Sequence, residues 1–324
     1  MKDYKYFLDI IEKELEEIRY PEKPFELYQP ISYVLAMGGK RIRPVLLLMA
    51  CNMFSDDISK AIKTALAIEV FHNFTLLHDD VMDHAVLRRN KPTVHVKWDT
   101  NVAILSGDAM LIKAYQLLST LDSKMFPPIY REFNKVALEV CEGQQFDMNF
   151  EKKLDVTVDD YINMIRLKTS ALIASSLKMG AILGNADAKN QQSIYDFGLN
   201  LGIGFQLQDD MLDTYGNTEV FGKKIGGDIV ANKKTYLLLQ ALAEAEGDRL
   251  KALQKLVTSY EVSREEKIEQ VLDIFNQLKI KEKTEEKISH YFQVALQCLD
   301  DITVADSRKQ AIKQVVNNLM NRYV

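Results

Sequence analysis

All seven prolines of this chain stand at or before Pro128, which leaves 196 residues with nothing to interrupt a helix. Apolar residues recur there at spacings of three and four, and alternating β-branched runs are scarce. The second half therefore reads as helix after helix. The first half has the same periodicity, with Phe7, Ile10, Ile11 and Leu15 on one side of a segment over about 4–18. Pro21, Pro24 and Pro30 then form a linker, with Pro30 opening a helix to about Ala36. Further helices are expected at 44–54, 58–83, 100–121, 126–150, 157–185 and 190–214, followed by a helical tail from Tyr236. No tandem repeat or compositional break divides the chain, so one all-α domain over 1–324 is expected.

An apolar content of 47% supplies a substantial core, and a net charge of −5 argues against nucleic acid or an anionic membrane as the main partner. Cys51, Cys141 and Cys298 are far apart, with no metal-ligand spacing, and read as thiols of a reducing compartment. The longest apolar run, Val45 to Cys51, is too short to cross a bilayer, and the first 20 residues lack a secretory layout. A soluble, cytoplasmic protein without a membrane anchor is expected.

The chemistry begins at His78-Asp79-Asp80-Val81-Met82-Asp83, where three acids crowd the end of a long apolar-periodic segment. On a helix Asp79 and Asp83 share a face and repel, and a nearby C-terminus opposes their charge again. A hard divalent cation carrying a phosphorylated ligand would resolve both conflicts. One such string also suits a solvated helix end. The spacing recurs, however, at Gln206-Leu207-Gln208-Asp209-Asp210-Met211-Leu212-Asp213, 130 residues later and again after an apolar helical run. Two boxes facing each other across a bundle would form a carboxylate cage for several Mg²⁺ ions and a diphosphate.

Basic stretches accompany the boxes. Gly38-Gly39-Lys40-Arg41-Ile42-Arg43-Pro44 joins a permissive backbone to three cations, although a helix C-cap would look similar. Arg88 and Arg89 lie in a polar, proline-containing loop running to His95, placed to clamp phosphates or to neutralise the first box. Lys168-Thr169 interrupts an apolar helix, and Gln144, Gln145 and Asp147 form a polar patch on another. After the second box come Gly222-Lys223-Lys224 and Asn232-Lys233-Lys234-Thr235, without Walker A or GxGxxG spacing.

In this order, GGKRIRP, DDVMDHAVLRR, KT, QLQDD and the closing lysines resemble the trans (all-E) isoprenyl diphosphate synthases, the polyprenyl synthetase family, over roughly residues 38–234. The resemblance implies a single large helical bundle of the isoprenoid synthase type with a central cavity. It implies head-to-tail condensation of isopentenyl diphosphate with an allylic diphosphate (dimethylallyl, geranyl or farnesyl), in a homodimer using about three Mg²⁺ ions per site. Asp79, Asp83, Asp209 and Asp213 are then metal ligands. Asp79, Asp80, Asp83, Asp209, Asp210, Lys168 and Lys233 carry catalysis, and the departing diphosphate serves as the base. Lys40, Arg43, His72 and Arg89 match positions for isopentenyl diphosphate; Arg88, Lys168, Thr169, Gln206, Lys223 and Lys233 match those for the allylic substrate.

Product length in this family follows bulky residues upstream of the first box. Phe74 and Phe71 stand roughly 7.5 and 12 Å below Asp79 at about 1.5 Å per residue, and both also suit plain core packing. Phe74 without an aromatic at Thr75 resembles the geranylgeranyl type; a floor at Phe71 would shift the product toward farnesyl. Longer-chain synthesis and a non-catalytic subunit of a heteromeric synthase are the alternatives. A class I terpene cyclase fits less well, because it needs no second diphosphate site and its second metal motif is usually not another DDxxD.

Overall fold

The side chain of Asp3 accepts from the backbone N–H of Tyr6 at 2.9 Å and caps the first helix, α1 (Tyr4–Glu16), whose buried stripe is Phe7, Ile11 and Leu15. Helix follows helix from there in the computed structural model, which describes residues 2–153, 155–216, 226–258 and 262–320. They are α2 (Phe25–Leu35), α3 (Ile42–Phe54), α4 (Ser59–Met82), α5 (Val94–Lys97), α6 (Thr100–Leu118), α7 (Phe126–Lys152), α8 (Val158–Ile165), α9 (Ala171–Leu183) and α10 (Ala188–Tyr215). Helices Gly227–Val230, Tyr236–Glu244, Gly247–Thr258, Arg264–Gln277, Ile280–Asp300 and Asp306–Met320 complete them. The all-α expectation is met. No described helix is long and apolar enough to cross a membrane.

The chain resolves into two compact units. The first comprises Met1–Asn134, Ser175–Ile194 and Thr303–Lys313; the second Lys135–Ala174, Tyr195–Ile302 and Gln314–Val324. In the first unit α3 is sealed from solvent, with Val45 to Leu48 at 0% exposure, which explains its uninterrupted apolar sequence. Gly180 of α9 lets the two backbones meet, since a methyl there would stand 2.1 Å from the Leu47 carbonyl oxygen. Glu132, buried, accepts from Ser175 at 2.8 Å and pairs with Lys178 at 2.7 Å. In the second unit the helices after residue 236 close around Leu237, Leu253, Val271, Phe275 and Ile280.

Three expectations need correction. Helix α2 begins at Phe25 behind a Pro24 cap, so Pro30 lies inside it rather than at its start. Its ring removes one i→i−4 bond, which burial of Pro30, Ile31, Val34 and Leu35 on one face outweighs. The expected helix over 157–185 is interrupted by a π-helical turn at Arg166–Ser170, where the Ala171 N–H reaches back to the Arg166 carbonyl. Hydrophobic periodicity cannot register a single inserted residue. The loop after the first box is in fact a two-stranded antiparallel hairpin, β1 (Leu87–Arg88) and β2 (Lys91–Pro92), followed by α5. Arg89 and Asn90 at its tip have φ of 52° and 60°, the two positive values of a type I′ turn.

Candidate active site

In the first unit, α4 delivers the first box at its C-terminus. Asp79 lies in its last turn, Asp83 is the exposed cap residue, and the Asp83 N–H donates to the Asp79 carbonyl at 2.8 Å. Asp80 points the other way. It is 5% exposed and accepts from Arg88 Nε at 2.9 and 2.8 Å, with Nη2 at 2.8 Å from Oδ1. Arg88 therefore neutralises the buried member of the box, the second of the two roles its position allowed. His78 turns its ring toward α6, where Nε2 meets the Ile104 carbonyl at 3.1 Å and the space left by Gly107.

Opposite ends of the same unit's sequence supply cations. Gly38 and Gly39 adopt φ of 77° and 139°, and the Arg89 guanidinium lies where a Gly39 side chain would, 2.7 Å from the position of its Cβ. Arg43 Nη1 stands 3.1 Å from His72 Nε2, and Arg43 Nε is buried without a hydrogen-bond partner among the described residues. An unused buried donor on a cation is a place for an anion. Burial lowers the Arg43 pKa to about 10, with Glu69 opposing the shift, so the side chain keeps its charge. Lys40 is exposed beside it. Thus Lys40, Arg43, His72, Arg88 and Arg89 all belong to the unit that carries the first box.

Burial first, then the charges of Arg43, Arg89, Arg88 and Arg41, hold the His72 pKa well below its usual 6.5. The imidazole is neutral at pH 7. Below pH 6.5 the unfolded chain takes a proton that the folded ring refuses, so stability rises with pH across that range. This contribution is present above 6.5 and is lost as the pH falls, at a slope of about 1.4 kcal/mol per pH unit. Melting curves between about pH 5 and 7 should show His72→Asn flattening the decline; an unchanged slope would refute the assignment.

In the second unit, α10 carries the second box. Asp210 is 5% exposed, accepts from the Tyr161 hydroxyl of α8 and from Gln206 Nε2 at 3.0 Å, and burial raises its pKa to about 7. Asp213 Oδ2 accepts the backbone N–H of Asp228 at 2.8 Å, and the Asp213 carbonyl accepts from Gly226 at 2.7 Å. One Asp213 oxygen is thus committed to a turn. Thr169 Oγ1 donates to Gln206 Oε1 at 3.1 Å. Lys168 rises from the π-helical turn and meets Asp147 of α7 at 2.6 Å. The turn packs on Gly143, where a methyl would stand 2.3 Å from the Lys168 nitrogen. Lys233 Nζ is 3.6 Å from Asp228 Oδ1. Lys168, Thr169, Gln206, Asp210 and Lys233 line one pocket of about 130 Å³, shared with Asp147, Tyr161 and Asp228. Lys223 lies outside the described residues.

Several partners were invisible in the sequence. Tyr161 and Asp228 had no motif to mark them, whereas Asp147 stood in a polar patch that did. Phe71 is 1% exposed and stacks edge-on against Phe133 at 5.2 Å, so its core-packing role is evident. Phe74, 9% exposed, lies between Phe71 at 5.7 Å and His78 at 4.7 Å.

For Mg²⁺ the donor chemistry fits. Among the described residues no group of three His, Cys, Asp or Glu could hold a metal ion. Mg²⁺ seeks one or two carboxylates, retained waters and substrate phosphate, and a pair one turn apart such as Asp79 and Asp83 offers that.

An all-helical scaffold with two aspartate boxes, each accompanied by cations, defines an enzyme that handles diphosphates. The polyprenyl synthetase family model matches residues 24–275, and the chain belongs to that family, the trans-isoprenyl diphosphate synthases. It is 35% identical to the geranylgeranyl diphosphate synthase of Saccharolobus solfataricus, over 98% of this chain and 97% of that one. It is 37% identical to a short chain isoprenyl diphosphate synthase of Methanocaldococcus jannaschii, over 82% and 81% of the two chains. A crystal structure of a geranylgeranyl pyrophosphate synthase superposes with a TM-score of 0.95 at 44% identity, covering all of both chains. The family works with Mg²⁺.

Proposed function

We propose that the whole chain acts as one short-chain all-E prenyltransferase, joining isopentenyl diphosphate head-to-tail to an allylic diphosphate, with geranylgeranyl diphosphate as main product. One observation carries the reading: each unit holds its own cationic group beside its own aspartate box. Two anion sites suit two diphosphate substrates, whereas a cyclase needs one. The curated relatives named for geranylgeranyl diphosphate support the product length, as does Phe74 below the first box.

In this reading Lys40, Arg43, His72 and Arg89 bind isopentenyl diphosphate, and Arg88, Lys168, Thr169, Gln206, Lys223 and Lys233 the allylic partner. Asp79, Asp83, Asp209 and Asp213 hold about three Mg²⁺ ions, which neutralise charge developing on the leaving diphosphate. Asp80 and Asp210 are the buried members that fix each box against Arg88 and Tyr161. The lysines then bring positive charge to the departing oxygens without a proton transfer. The protein works in the cytoplasm as a homodimer, for which the exposed Ile104, Leu105 and Ile112 of α6 provide an apolar face.

The test is incubation with Mg²⁺, labelled isopentenyl diphosphate and, separately, dimethylallyl, geranyl or farnesyl diphosphate, with sizing of the dephosphorylated products. A twenty-carbon product is expected, from a species sedimenting at twice the chain mass. Fifteen carbons would move the floor to Phe71, and no incorporation by folded protein would sink the reading.

A further inference from the structure

Helix α1 precedes residue 24, where the family match begins, so the family pattern assigns it nothing. Its apolar stripe packs on α3 and α4. Two polar side chains two turns apart on it nevertheless reach the Gly38–Arg43 loop. The Tyr4 hydroxyl donates to the Lys40 carbonyl, and Glu12 Oε1 accepts from Arg41 Nε at 2.8 Å.

Arg41 is the keystone of that loop. Its φ of 47° is left-handed, a conformation that disfavours a residue with a Cβ by about 1–2 kcal/mol. Only surrounding contacts can hold it there. Its guanidinium is 1% exposed and is engaged on three sides: by Glu12, by Glu69 at 2.7 Å and by the Leu35 carbonyl at 2.6 Å. Glu69, 2% exposed, also accepts from Asn73 at 2.8 Å. Because Glu69 lies on α4 one turn before His72, the pair ties the loop to the helix that carries both His72 and the first box.

We infer that α1 is a clasp, and that Tyr4, Glu12, Arg41 and Glu69 are positioning residues that hold Lys40 and Arg43 where a diphosphate can bridge them. The inference rests on the assignment of that loop to isopentenyl diphosphate. None of the four is a ligand; each acts through the backbone between Gly39 and Arg43.

The experiment is calorimetric titration of isopentenyl diphosphate into wild type, Tyr4→Phe/Glu12→Gln, Arg41→Gln and Arg41→Lys, with the KM for the allylic diphosphate measured in parallel. Tyr4→Phe and Glu12→Gln change only one edge of the fold and keep its core intact. The double variant is expected to weaken binding of isopentenyl diphosphate about tenfold, equivalent to about 1.4 kcal/mol. The allylic KM should stay within about twofold, since one charge-assisted and one neutral hydrogen bond on the other substrate's loop are lost. Arg41→Lys should recover part of what Arg41→Gln loses. Unchanged affinity in the double variant, or equal weakening of both substrates, would overturn the clasp. Wild type that binds isopentenyl diphosphate without turnover would overturn the prenyltransferase reading alone; wild type that does not bind it would overturn both.

Discussion

Asp83→Asn should make the protein slightly more stable and nearly inactive. Asp83 is exposed at the C-cap of α4 and faces the like charge of Asp79 one turn earlier. Removing its charge relieves repulsion and an unfavourable encounter with the helix dipole, together about 0.5–1 kcal/mol. The same change deletes one of the two carboxylates that this end of the helix offers to Mg²⁺. Losing leaving-group stabilisation of about 4 kcal/mol lowers kcat about a thousandfold. Thermal unfolding and single-turnover rates at graded Mg²⁺ read the two effects separately. Opposite signs are expected; a parallel fall in melting temperature and rate would mean that Asp83 serves the fold, and a rate unchanged at low Mg²⁺ would remove it from the metal site.

The second large effect is on product size. Phe74→Ala should move the main product beyond that of the wild type, because it deletes a ring 9% exposed on the helix that ends in the first box. Truncating a buried phenylalanine destabilises by about 3–5 kcal/mol, so the assay belongs well below the lowered melting temperature. Phe71→Ala is the informative contrast. Phe71 is wedged against Phe133, which itself meets Tyr115 at 5.1 Å, so its loss opens the core of the unit. A stability loss without longer products is expected there. If Phe71→Ala lengthens the product and Phe74→Ala does not, the floor lies one turn lower.

The sequence disclosed those parts of the site whose chemistry is written in unusual local composition. Asp79, Asp83 and Asp209 were legible because clustered like charges at a helix end need an external partner. Gly38-Gly39 was legible because two glycines before three cations imply a backbone outside the ordinary regions, as their φ values bear out. Residues that act through distant partners were not legible. Tyr161 caps Asp210 from 49 residues away, and Arg41 pairs with Glu69 from 28 away; nothing local distinguishes either from an ordinary core or surface residue. The hairpin escaped for a different reason. Its type I′ turn is made by Arg-Asn rather than by Asn-Gly, so a non-glycine φ of 52° at Arg89 had no sequence signal.

The π-helical turn at Arg166–Ser170 has a consequence for how this protein tolerates change in length. A regular helix advances about 100° per residue, so one residue more or less rotates everything beyond it by that angle. Here the extra residue is absorbed in a single wide turn, and α9 continues with Gly180 still against Leu47. Deleting one residue within 166–170 would restore an unbroken helix and swing that glycine off its neighbour. The wide turn thus acts as a phase shifter, letting one strand of sequence serve two faces that differ in register.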